Sequence, residues 1–399
     1  MDHKLNLKKQ LGCIYTSDFF SGLRITDAVW VALLAARGFS LWEIGLAESV
    51  FHVISLLCEV PSGMAADLLG RKKAIVFGGA CMVAQSLLMA FASNLFSVCF
   101  AMGLNALALT MFSGTFTALV YDSLKQEGRE EAYLRVSANS SQISMLANAV
   151  GSLASLLNRF LGFAGFYLLN AAFEAASALA TLLLVEPIVT EAQANRKTQP
   201  LRSLPEQFGR LVRDSLHILH ANPLAVRLIA SSALISVPSY LTKMFLQQRL
   251  VELGWPTEVL FAPLLLGGLA CVLGTEIGRR VRFCSMRRFY AACALLCGAG
   301  TVLVGAAPAW GGILGMMLVQ GVLEVYLLHE SRKLNDSIPS DQRATIISID
   351  SMAYSLLMIP ASPLVGAVGD VFGQAGAGLA VLGAVVALSG AVLAVKRQS

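Results

Sequence analysis

Charge is scarce in this chain. Only 14% of its 399 residues are Asp, Glu, Lys or Arg, against 56% hydrophobic, and the mean hydropathy is +0.67. A water-soluble protein of this length could not cover itself with so little polar surface, which all but excludes a soluble enzyme or a nucleic-acid binder. Nor do the eight cysteines form a disulfide framework or a metal-binding spacing. Cys13, Cys58, Cys81, Cys99, Cys271, Cys293 and Cys297 fall in apolar runs, where thiols act as small hydrophobes, and Cys284 falls in a basic loop. No Gly-x4-Gly-Lys-Ser/Thr loop is present to use ATP directly, and no His-Glu-x2-His or similar spacing supports an intramembrane enzyme. The stretch 1–10 carries Asp2, Lys4, Lys8 and Lys9 and no small-residue cleavage site, so no removable leader is expected. No cofactor and no metal is implied.

What the chain has instead is long apolar runs. Those at 74–91 and 375–395 are apolar on every face, unlike the ten-residue alternation of a membrane barrel, so helices are expected. Twelve membrane helices of about 22 residues would use roughly 264 positions, leaving room for short connections only. The spans are placed at 11–36, 42–66, 74–93, 96–122, 133–157, 163–186, 224–250, 257–278, 286–307, 310–331, 343–368 and 373–395. The longest polar interruption is 187–222, between the sixth and seventh. An all-α membrane protein results: an N-terminal six-helix bundle over 1–186, a linker over 187–222, and a C-terminal six-helix bundle over 223–399. In the linker Leu204, Phe208, Leu211, Val212 and Leu219 recur at helical spacing opposite Arg210, Arg213, Asp214 and His217. That pattern reads as a cytoplasmic interfacial helix or, alternatively, a solvated tether.

With the N-terminus inside, all but five of the 30 Lys and Arg fall on cytoplasmic segments, the five being Arg24, Arg37, Arg159, Lys243 and Arg249. Both termini are therefore expected in the cytoplasm.

After the second span stands Gly63-Met64-Ala65-Ala66-Asp67-Leu68-Leu69-Gly70-Arg71-Lys72-Lys73. This segment resembles the loop between helices 2 and 3 of the major facilitator superfamily (MFS), with Gly63, Asp67, Gly70, Arg71 and Lys72 in place and Leu68 where the family usually has Arg. Weaker copies of the Gly-x3-Asp-x2-Gly frame stand at Gly366, Asp370 and Gly373 and at Gly151, Ser155 and Asn158, while Gly274 and Gly278 precede Arg279 and Arg280 without the acid. Such echoes are what internal repetition leaves behind. Glu59-Val60-Pro61-Ser62-Gly63, Tyr121-Asp122-Ser123-Leu124 and Arg343-Ala344-Thr345 are similar to a subgroup of the same superfamily. The resemblance implies two pseudo-symmetric six-helix bundles that rock about a midplane site. It also implies a conformational latch: Arg71 against Asp122, and Asp67 against the start of the eleventh helix near Arg343.

Ionisable residues inside the bilayer are costly and become functional candidates. The first span holds Asp18, Arg24 and Asp27. Arg24 and Asp27 can pair on one face, whereas Asp18 and Asp27, nine apart, point oppositely on a regular helix. Asp27 is the first choice for a proton-coupling or substrate-contacting acid, with a structural pair to Arg24 as the alternative. In the second span Glu48, His52 and Glu59 share one stripe about 16 Å long, either a proton relay or a row of structural hydrogen bonds. Glu324 in the tenth span is the second coupling candidate, and Glu174, Asp350 and Lys243 complete the set. Lys243 can neutralise an acid, attract an anionic group or snorkel outward.

These features predict a monomeric, multi-pass secondary transporter of the cell membrane, taking a small-molecule substrate and protons amid membrane lipids. Acids that hold either a proton or a cation favour efflux of an amphipathic or cationic compound by antiport. The Gly-Pro-x2-Gly-Gly ending of family drug antiporters is missing from the fifth span, which reads Ala149-Val150-Gly151-Ser152-Leu153-Ala154-Ser155, so proton-coupled uptake of a metabolite is the alternative.

Overall fold

A computed structural model describes residues 5–189, 222–283, 285–338 and 343–395. The expected interfacial helix of the linker lies outside the described residues. Among those described the fold is helical throughout: α1 Leu7–Gly22, α2 Trp30–Ala36, α3 Leu41–Leu69, α4 Arg71–Ala90, α5 Leu95–Phe112, α6 Thr115–Gln126, α7 Tyr133–Ser152, α8 Asn158–Leu182, α9 Pro223–Glu252, α10 Phe261–Arg280, α11 Met286–Ala306, α12 Ala309–Asp336, α13 Arg343–Phe372 and α14 Ala375–Val395.

Local sequence accounts for many of the ends. Asn222 caps α9 by accepting the Ala225 N–H, and Pro223 fills the first helical position, where no N–H is needed. Asn94 and Ser97 form a reciprocal capping box on α5. Gly70, at φ 109°, turns the chain sharply from α3 into α4.

Ten helical stretches are long and apolar enough to cross a membrane. One of them, Glu130–Leu182, has 53 residues, more than two membrane thicknesses at ~1.5 Å per residue. The expected first span is not among the ten, because it is not one helix. The chain leaves α1 at Gly22 and resumes helix only at Trp30. Two further corrections concern continuity. The expected helix over 96–122 is split at Ser113 and Gly114 into α5 and α6, with Gly114 at φ 68°. The fifth ends in a short 3-10 stretch, Leu153–Leu157, before α8, which is itself kinked at Gly162.

The described residues pack as two compact units, those within Met1–Asp27 and Val53–Val212 forming one and those within Ala28–His52 and Arg213–Ser399 the other. In the first, α4 packs on α5 and α8, and α1 packs on α7 and α8. Ile14, Ile75, Leu119 and Leu124 form one core there, all essentially inaccessible. In the second, α11 packs on α12 and α14, α10 on α12, and α9 on α13 and on the short α2. The first twelve residues of α3 belong to this second unit because glycines let backbones touch. A Cβ at Gly366 of α13 would overlap the Leu41 carbonyl, and one at Gly45 of α3 would stand 2.5 Å from the Ser362 carbonyl oxygen.

Candidate functional site

In the first unit the site begins at the interruption of α1. Gly22 crosses α7 beside Ser144 and Ala147, and a Cβ on Gly151 of the same helix would overlap the Leu23 carbonyl oxygen. Leu23 and Ile25 are buried, and between them Arg24 takes φ 31°, a region that side-chain-bearing residues rarely enter. The turn holds Arg24 and Asp27 in an ion pair of 3.9 Å with both side chains half exposed. Behind them α8 contributes Glu174, only 6% exposed and within electrostatic reach of both, and buried Tyr167, which senses Asp27. One cation and two acids meet here. Asp18, deeper along α1, is held separately: it accepts the Ser140 hydroxyl from α7, while neighbouring Ser17 bonds Ser177 at 2.9 Å. The break also corrects the geometry expected of the first span, because Asp18 and Asp27 are no longer related by a regular helix.

The second unit carries three further clusters. Glu48 and His52 approach to 3.4 Å with side chains 1% and 4% exposed. The imidazole Nδ1 lies 3.3 Å from the Ser355 hydroxyl and the ring meets Phe51, Tyr240 and Tyr354 edge-on. Neither Glu48 oxygen has a hydrogen-bond partner among the described residues. Glu59, expected on the same stripe, is half-buried and belongs to the other unit. Lys243 stands 5.9 Å from the Tyr240 ring centre, a cation–π distance, and Lys243 and Glu324 both act on Cys271 of α10. Below them, Gln320 of α12 donates to the Ser239 carbonyl of α9 at 2.9 Å.

In the third cluster Asp350 of α13 lies within electrostatic reach of Glu330 of α12. Glu330 is 3% exposed, and one oxygen of each acid lacks a partner. Asp350 also bonds Ser232, and Tyr326 bonds Ser231 at 2.5 Å. Glu330 was absent from the expected set because its distance from the span's centre made Glu324 the more prominent acid. Its mate Asp350 lies on another helix, with no trace of the pairing in linear spacing.

At the α3–α4 corner the Arg71 guanidinium pairs with Asp122 of α6 and donates to the Ala118 carbonyl at 2.8 Å. The backbone N–H groups of Arg71 and Lys72 point into the Glu186 carboxylate at 2.9 and 2.6 Å. An anion thus sits on the positive end of α4. Glu186 is not among the expected site residues; an acid at the very end of the sixth span, 163–186, is the signal that could have found it. Gly63 has open space around it and Asp67 is exposed. The Arg343 side chain lies outside the described residues. No group of three or more His, Cys, Asp or Glu able to hold a metal occurs among the described residues.

The sequence profile of the Major Facilitator Superfamily matches residues 15–323. The chain is similar to the uncharacterized MFS-type transporter YxaM of Bacillus subtilis (strain 168), at 23% identity over 89% of this chain and 88% of that one. Its fold is similar to the nucleoside transporter NupG, with a TM-score of 0.70, 16% identity and 98% of each chain covered. It is also similar to a POT family transporter solved in complex with 5-aminolevulinic acid, with a TM-score of 0.66, 14% identity and coverage of 96% and 95%.

Proposed function

This multi-pass membrane protein belongs to the major facilitator superfamily of transporters, and on that premise we propose that it is a proton-coupled antiporter exporting an amphipathic or cationic organic compound. It works as a monomer in the cell membrane, by alternating access of two six-helix bundles with cytoplasmic termini. The observation that carries the reading is the group at the interrupted first helix. Arg24 pairs with the half-exposed Asp27 while Glu174 stands buried within electrostatic reach of both, so two carboxyl groups beside one cation can trade a proton for a cationic substrate. A proton and a cationic substrate then compete for the same carboxylates, and each release drives the next binding. Discontinuous membrane helices are recurrent binding-site features in secondary transporters, because the unwound turn offers polar groups where a continuous helix would not. The half exposure of Arg24 and Asp27 supports access, and the burial of Glu174 supports discrimination.

Proton-coupled uptake is the second reading, favoured by the fifth span, where Ala149 to Ser155 lacks the Gly-Pro ending of drug antiporters. The test begins with thermal stabilisation of the purified protein across a compound panel. Any hit is then followed as flux in liposomes under an imposed pH gradient. Export coupled to proton entry, lost in Asp27→Asn and Glu174→Gln, is the expected result. Flux that ignores the gradient and survives both substitutions refutes coupling, and flux running with the protons establishes uptake.

A further inference from the structure

Helices α10 and α11 each pack along α12 but hardly touch one another. The gap between them is a groove of about 520 Å³ whose floor is α12. Small residues make it deep: Ala270 and Gly274 on one wall, Ala292 on the other, and Gly321 on the floor. Gly274 lies so close to the Gly321 backbone that a Cβ there would overlap it, so the floor cannot rise without separating α10 from α12. No lining side chain carries nitrogen or oxygen. The rim residues Leu273, Ile277 and Leu296 are about half exposed, so the groove opens onto an apolar surface.

One end of this groove differs sharply from the rest. Val281 and Phe289 close it, and around them in sequence stand Arg279, Arg280, Arg282, Arg287 and Arg288. The acid in this stretch is Glu276, which bridges Arg279 at 3.3 Å and Arg280 at 2.7 Å, leaving a strong positive excess. Arg282 and Arg288 are exposed. The arginine-bearing turn is fixed in place: Phe283 stacks on Phe289 with centroids 4.3 Å apart, and both rings meet the edge of His329, whose Nε2 lies 2.9 Å from the Gly278 carbonyl. The first N–H groups of α11 begin here with no side-chain cap from Ser285, so the helix adds its own positive end to the arginines.

We propose that the α10–α12 groove is a specific site for an anionic phospholipid, with an acyl chain in the groove and the headgroup phosphate among the arginines at its end. The apolar lining excludes a free phosphate as the natural occupant, because such an ion gains nothing from it. A zwitterionic lipid would bring its ammonium group into the same cationic cluster, which disfavours it. Charge complementarity therefore selects the headgroup while the groove holds the chain.

The experiment uses the full chain, purified in micelles doped with equal amounts of phosphatidylglycerol and phosphatidylcholine bearing identical acyl chains, with bound lipid read by native mass spectrometry. Phosphatidylglycerol is expected to be enriched at least about fivefold. The enrichment should vanish in R279Q/R280Q/R282Q and increase in Glu276→Gln. Ala292→Phe, which fills the groove from an exposed position, should reduce retention of both lipids. All these side chains are at the surface, and melting in lipid-free detergent confirms folding; phosphatidylglycerol should raise the melting temperature of the parent but not of the triple variant. Equal retention of the two lipids by the parent, or an enrichment indifferent to the arginines, overturns the proposal. So does a dimer that Ala292→Phe dissociates without any change in bound lipid, since a second copy of the chain would then be the occupant.

Discussion

The Asp370 carboxylate accepts the backbone N–H groups of Leu41 and Trp42, at 2.9 and 2.8 Å. Ser40 and Glu43 complete the end of α3 reciprocally: Ser40 N–H donates to the Glu43 carboxylate at 2.8 Å, and Glu43 N–H donates to the Ser40 hydroxyl at 3.2 Å. The first three helical donors are thus satisfied, two of them by a residue more than 300 positions away. Gly366, one turn before Asp370, supplies the space for this contact. The same Gly-x3-Asp spacing marks Gly63 and Asp67.

Removing that carboxylate should loosen α3 from α13. Asp370→Ala is expected to cost about 0.5–2 kcal/mol, with Asp370→Asn less severe because its amide oxygen still accepts one bond. Hydrogen exchange at the Leu41 and Trp42 amides should accelerate roughly tenfold for each ~1.4 kcal/mol lost. Unchanged exchange at those two amides in Asp370→Ala would show that water replaces the carboxylate without penalty.

Arg71 joins two different kinds of contact, a side-chain ion pair with Asp122 and a backbone donor to Glu186. Both side chains of the ion pair are largely buried, at 15% and 11% exposure, so breaking it strands a charge. Arg71→Ala should destabilise by about 3 kcal/mol. Exchanging the two charges in R71D/D122R should recover part of that loss, a coupling of about 0.5–3 kcal/mol in a double-mutant thermal-unfolding cycle. Strictly additive losses would mean that the surroundings, not the partner, stabilise each charge. Glu186→Gln should cost only ~0.3–1 kcal/mol, since it removes the anion from the helix end and keeps an acceptor.

The fold was legible largely because bilayer physics is one-dimensional. The expected spans at 286–307 and 373–395 coincide with α11 and α14 to within two residues at each end, because apolar length alone dictates such helices. The Arg71–Asp122 pairing rested on resemblance, which carries three-dimensional information that composition does not. What periodicity could not show is where a helix stops being regular. Leu23 to Val29 contains neither Gly nor Pro, and the interruption there packs against Gly151, on a helix more than 100 residues away. Glu330 with Asp350 and Glu186 with the α4 terminus were equally invisible, since each partner comes from a distant element.

The interruption of α1 should therefore be controlled from α7. Gly151→Ala would drive its methyl into the Leu23 carbonyl, and neither backbone can yield without moving a helix. A destabilisation of about 3 kcal/mol is expected, near the upper end for overpacking. Gly12→Ala on α1, where no atom stands within 4 Å, is the matched control and should leave thermal stability unchanged or slightly raised. Equal melting temperatures for the two variants would mean that the close crossing relaxes freely and does not hold the turn at Arg24.

Glu48 and His52 pose a different question, because a buried pair can move protons or simply hold helices together. The pair has few other polar contacts: Nδ1 meets Ser355, and the oxygens of Glu48 have no hydrogen-bond partner among the described residues. His52→Ala alone should leave the carboxylate without its neighbour and cost about 3 kcal/mol. The double variant E48Q/H52Q removes both ionisable groups while keeping polar side chains, and should be more stable than His52→Ala. The roles separate in liposome flux. If the pair is structural, E48Q/H52Q keeps proton-driven transport while lowering the melting temperature modestly. If the pair carries protons, the same variant melts near the parent value but loses the dependence of flux on the pH gradient, and activity without a gradient persists. Phe51, Tyr240 and Tyr354 meet the imidazole at centroid distances of 5.1, 6.4 and 5.4 Å and hold it in place, and a relay through His52 would have to continue by way of the Ser355 hydroxyl at Nδ1, which makes Ser355→Ala the companion variant for the flux assay.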